Sequence, residues 1–159
     1  MPQVRAERSI ALDLATVFAF SQSVGEFRRS WDPFISNQAW LDGATSAGKG
    51  VRTRTVSRLG LVMISKYVSY MPPRSVGMTM VSGPWFFRSF GGGWRFTEDD
   101  AGTRAVWKYT FTCRPAVLRP VAERMGTWLL SREIERRIEA FARACEDPEL
   151  VREFRSLNT

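Results

Sequence analysis

Whatever chemistry this chain performs, it performs without histidine, because the sequence contains none. The commonest general base near neutral pH and the commonest metal ligand are both missing. Proton transfer would fall to carboxylates, Tyr, Lys, Ser or water. The two cysteines, Cys113 and Cys145, have neither metal nor redox spacing. The pattern therefore calls for no metal and no cofactor. Three side chains stand out as candidates for chemistry. Arg88 shares strand parity with Phe86, Phe90, Trp94 and Phe96. If it points inward among those rings, its guanidinium suits a carboxylate, phosphate or enolate oxygen. The alternative is a solvent-facing Arg, or one paired with an internal acid such as Glu26. Lys66 shares parity with Ile64 and Val68. An inward Lys has a lowered pKa and can act as acid or base, whereas an outward one is a solvated surface charge. Tyr109 carries a hydroxyl that needs a partner if buried.

The acids offer less. Glu98, Asp99 and Asp100 read as a solvated hairpin turn. Asp32, beside Trp31, reads either as a residue near a cavity mouth or as a cap for the local turn. The triplet 91–93 is glycine throughout, but no Lys-Ser/Thr and no helix follow it, so it is not a phosphate loop. Inside a strand it marks a bulge, a sharp bend or the close approach of another backbone.

The elements that must position these groups follow from periodicity. Alternation over 4–12 predicts a strand. Asp13 is placed to cap a short helix, and a second short helix follows near 24–30, ending before Pro33. Strands are predicted at 35–41, 51–59, 61–70, 75–81, 85–97 and 103–112. On the last, Trp107, Tyr109 and Phe111 share a face. A long helical pattern then fills 116–145. Strands grouped apart from a long helix argue for an α+β fold with an antiparallel sheet. The 159 residues form one domain, with a core over 4–145 and a tail over 146–159.

Net charge is +7, and all but three of the 23 basic residues are Arg. They are spread along the chain with no run longer than two, which argues against nucleic acid as the partner. The apolar runs are too short to span a membrane. No signal-peptide pattern is visible, and with thiols lacking a disulfide pattern the expected setting is the cytoplasm.

Several short stretches together resemble the START-like, helix-grip (SRPBCC) superfamily, and within it the polyketide cyclase/dehydrase and lipid-transport group. They are Ile10-Ala-Leu-Asp, Val17-Phe-Ala-Phe20, Trp31-Asp-Pro33 and Gly50 opening a strand. Tyr67-Val-Ser-Tyr-Met-Pro-Pro-Arg74, Trp94-Arg-Phe96 and Gly102-Thr-Arg104 complete the set. The resemblance spans 4–145. It implies a curved antiparallel sheet of six to seven strands wrapped around the C-terminal helix, and an apolar cavity between them. The implied function is binding of a lipid, quinone or polyketide-like molecule. The alternative is a cyclase or dehydratase using the same cavity, and a third reading is an accessory protein that contacts a partner. The family has no universal catalytic motif to transfer.

The long helix poses a problem. Val117, Leu118, Val121, Met125, Trp128 and Leu129 cluster on one side, while Leu130, Ile134, Ile138, Phe141 and Cys145 cluster on another. A bend or local unwinding at 126–131 would explain the switch, as would a partner subunit covering one stripe in a homodimer. On the first explanation Val121, Met125, Trp128 and Leu129 face the cavity, opposite the aromatic rings.

Overall fold

The structure, a computed structural model, describes residues 1–158. Seven strands form one antiparallel sheet in the order β1-β7-β6-β5-β4-β3-β2. They are β1 (Gln3–Ile10), β2 (Ile35–Trp40), β3 (Arg52–Ser57), β4 (Val62–Met71), β5 (Ser75–Ser82), β6 (Phe87–Asp99) and β7 (Gly102–Cys113). Two short helices, α1 (Leu14–Ser21) and α2 (Gly25–Trp31), follow β1. The Asp13 carboxylate accepts the Thr16 amide at 3.0 Å and caps α1. After β7 a single 3-10 turn leads into α3 (Arg119–Cys145), and α4 (Pro148–Leu157) closes the chain. The sheet curls around α3 as the helix-grip expectation requires.

Register shifts between Ile64 and Ser65, Tyr67 and Ser69, and Phe87 and Ser89 mark irregularities that bend the sheet. The glycine triplet is a site of close backbone approach. A Cβ on Gly93 would lie 2.3 Å from the Val76 carbonyl oxygen, and one on Gly92 would lie 2.7 Å from that of Lys108. No side chain fits there without parting the strands.

The helix α3 has 27 residues, about 40 Å at 1.5 Å per residue, and runs unbroken through 126–131. Local unwinding is therefore not the cause of the stripe switch. The inward face starts with small or half-buried residues, Ala122, Gly126 and Leu130, and continues as Ile134, Arg137, Ile138, Phe141 and Cys145. Gly126 sits on the ring of Phe111, where a Cβ would come within 2.9 Å. Val121, Met125, Trp128 and Leu129 face solvent, and Trp128 is 58 % exposed. Apolarity alone selected the wrong face, because the helix meets β7 here through its smallest residues.

The expected tail over 146–159 is also corrected. Within it, α4 buries Val151 and Phe154, and the Phe154 ring lies 5.2 Å from Phe20 and 5.5 Å from Phe27. Thr159 lies outside the described residues.

Candidate ligand cavity

The α3 helix packs on β1 and β7, at one edge of the curled sheet. Between the concave face of the sheet and α3 lies a cavity of about 180 Å³, lined by residues of β3 to β7. Trp94, Trp107 and Phe90 form its aromatic wall, and Phe87, Met78 and Met80 also line it. The Trp94 and Trp107 rings stack at 4.1 Å. The link after α1 supplies Gln22, α2 supplies Arg28, and α3 supplies Leu130, Glu133 and Arg137.

A buried ion trio stands behind this wall. Asp32, at the end of α2, has no exposed surface. Arg137 grips its carboxylate with two bonds, Nε to Oδ1 at 3.1 Å and Nη2 to Oδ2 at 2.8 Å. Arg28, one helical turn before Asp32, donates Nε to Oδ2 at 2.9 Å. Its Nη1 also reaches the Ser21 and Ser23 carbonyls. The Phe34 amide donates to Asp32 at 3.1 Å, so the carboxylate caps its local turn as well. Burial pushes the Asp32 carboxyl up, but the two guanidiniums outweigh burial and hold it at about 2. Burial likewise disfavours charge on both arginines. In Arg137 the two-point contact with Asp32 outweighs it, and the pKa rises. Arg28, with one bond to Asp32 and the Arg137 charge nearby, shifts down. Two cations share one anion, so the trio is net positive. Arg137 also lies over the Trp107 ring at 4.4 Å, a cation–π contact.

The trio ends at Tyr109. Arg137 Nη1 donates to the Tyr109 hydroxyl oxygen. The phenol is buried, and burial pushes its pKa up to about 12 against the pull of Arg137. It therefore stays protonated. Its oxygen already accepts from Arg137, and its own hydrogen has no acceptor among the described residues. Tyr109 also lines the cavity. On the sheet side, Gln38 Oε1 and Thr53 Oγ1 are buried without a hydrogen-bond partner among the described residues, and both residues line the same cavity. Tyr67 donates to Gln22 Oε1 at 2.7 Å, and burial raises its pKa as well.

Of the residues singled out from the sequence, Phe90, Trp94, Trp107 and Tyr109 meet at this cavity. Arg88 does not: the register shift at Phe87 and Ser89 turns Phe87 inward and leaves Arg88 exposed, with Phe86 off the cavity wall. Lys66 is exposed too, because Met63, Ser65 and Tyr67 are the inward residues of β4. Phe96 and Phe111 are fully buried but fill the core, against Phe18 and Gly126 respectively, rather than line the cavity. Val121, Met125, Trp128 and Leu129 lie outside it. Among the described residues no group of three His, Cys, Asp or Glu could hold a metal ion.

The family model for polyketide cyclase / dehydrase and lipid transport matches residues 1–146. The chain belongs to that family. No curated protein matches the chain. Among solved structures, the chain is 18 % identical to the Zhui aromatase/cyclase from a Streptomyces species, with TM-score 0.75, covering 91 % of this chain and 93 % of that one. A protein of Thermus thermophilus gives 17 % identity and TM-score 0.74, covering 96 % and 98 %. The di-domain ARO/CYC StfQ from the steffimycin biosynthetic pathway gives 14 % identity and TM-score 0.68, covering 88 % of this chain and 49 % of that one. At these identities the likeness speaks for the family fold. No helix among the described residues is long and apolar enough to cross a membrane.

Proposed function

We propose that this family member binds a compact, oxygen-bearing ring molecule, quinone-like or polyketide-like, in the cavity. The observation that carries the reading is the Tyr109 hydroxyl, fixed by Arg137 and left with a free hydrogen at an apolar, ring-lined wall. A carbonyl oxygen accepts that hydrogen. The net positive trio behind it favours any negative charge the oxygen gains. A ligand hydroxyl would supply the donor that Gln38 Oε1 and Thr53 Oγ1 lack. A cavity near 180 Å³ is small beside pockets of roughly 300–1,000 Å³ that hold drug-sized molecules, which favours a small ring system over a whole lipid.

The test is a pair of probes of one shape, 1,4-naphthoquinone and naphthalene, titrated against the fluorescence of the cavity tryptophans. The quinone should bind about tenfold tighter, the worth of one good hydrogen bond in a dry site. Tyr109→Phe should erase most of that difference and leave naphthalene affinity unchanged. Equal affinity for both probes in the wild type would defeat the reading.

A cyclase or dehydratase role is the second reading, favoured by the same pair. A carbonyl held by Tyr109, with the Arg137 charge behind it, is polarised toward its enol. Glu133 is the carboxylate that lines the cavity and is the candidate base for an adjacent C–H. In that case Glu133→Gln abolishes turnover and spares affinity.

A further inference from the structure

The apolar surface of this protein is concentrated at one end. The turns at 58–61 and 83–86 and the β7-to-α3 junction at 114–118 lie together, because β3 to β7 run antiparallel and Phe87 pairs with Cys113. Leu59 is 88 % exposed, Trp85 74 % and Val117 84 %. The stripe Val121, Met125, Trp128 and Leu129 continues this surface along α3. Leu61 and Val62 are exposed and also line the cavity, which places its mouth at the same end. Charge follows the same division. The segments 56–64, 80–90 and 112–132 hold six arginines, Arg58, Arg88, Arg114, Arg119, Arg124 and Arg132, and one acid, Glu123. The opposite end carries six acids at its turns, Asp13, Asp42, Asp99, Asp100, Glu146 and Asp147, against the two cations Lys49 and Arg74.

We infer that the mouth end docks on an anionic lipid bilayer surface. Exposed Trp and aliphatic side chains enter the headgroup boundary while surrounding arginines meet lipid phosphates. The acidic far end orients the molecule with its mouth toward the membrane. A second copy of the chain fits this surface poorly, since a symmetric dimer would face six arginines with six. The docking goes beyond the cavity reading: it gives an apolar ligand a route between bilayer and cavity that avoids water.

The experiment is vesicle co-sedimentation with phosphatidylcholine alone and with phosphatidylcholine containing phosphatidylglycerol. Wild-type protein should partition onto the mixed vesicles and fall off as salt rises. Arg114→Glu/Arg124→Glu and Trp85→Ser/Trp128→Ser should each lower partitioning by about tenfold or more, with far-UV circular dichroism unchanged. Absence of wild-type binding to the mixed vesicles, binding indifferent to phosphatidylglycerol, or undiminished binding by either double variant would overturn the proposal. So would a concentration-dependent dimer that buries Trp128 and ignores vesicles. No cavity side chain is altered, so such a failure leaves the ligand reading standing.

Discussion

Asp32 is enclosed by two guanidiniums, and without it both would remain buried with no counter-charge. Breaking a buried ion cluster from one side is strongly destabilising. Asp32→Asn should therefore lose about 3 kcal/mol of stability, read from urea unfolding at neutral pH. The pH dependence follows from the direction of the shift. The carboxyl is held at about 2 in the folded chain, below its ordinary 3.8. Its contribution, roughly 2–3 kcal/mol, is present above about pH 4 and is lost as pH falls toward about 2. In Asp32→Asn the acid limb of stability against pH should be shallower. An unchanged limb would show that the exposed carboxylates carry it instead. The partners of Asp32 were within reach of the sequence. Arg137 lies seven residues after Leu130, inside the apolar stripe of Ile134, Ile138 and Phe141, and a lone cation on such a stripe must find a partner. Arg28 and Asp32 stand at helical i,i+4 spacing. What the sequence could not show is that β7 brings Tyr109 to the same point.

At the scale of elements, strand and helix spans were legible because period-two and period-3.6 patterns are local properties of the chain. Facing was legible only where no irregularity intervened. On β7 the alternation from Thr103 to Cys113 runs unbroken, and its buried face is the expected one. On β6 the shift at Phe87 and Ser89 exchanges the faces, so Arg88 and Phe86 were misplaced. On α3 the helix approaches β7 through Gly126, and the larger apolar residues there point outward. The tail expected over 146–159 is instead a ten-residue helix in which Val151 and Phe154 fall on one face and are buried. Phe154 closes a ring cluster with Phe20 and Phe27. Phe154→Ala should destabilise the protein by about 3–5 kcal/mol in urea unfolding, a core penalty rather than a terminal one. A loss below about 1 kcal/mol would mean that α4 is not part of the core.

The whole molecule has two poles and a hollow between them. The helix packs chiefly on β1 and β7, the other strands curl past it, and the space they leave is walled by rings, Tyr109 among them. The apolar, arginine-rich pole surrounds the mouth of that space. Ligand and surface are separate claims, and the ligand claim is central. The most direct test is the structure of the complex with 1,4-naphthoquinone. The ring should lie against Trp94 and Trp107, with one carbonyl oxygen within hydrogen-bond reach of the Tyr109 hydroxyl, about 2.5–3.0 Å. A quinone bound outside the cavity, or inside it with both oxygens turned away from Tyr109 toward the mouth, would contradict the account.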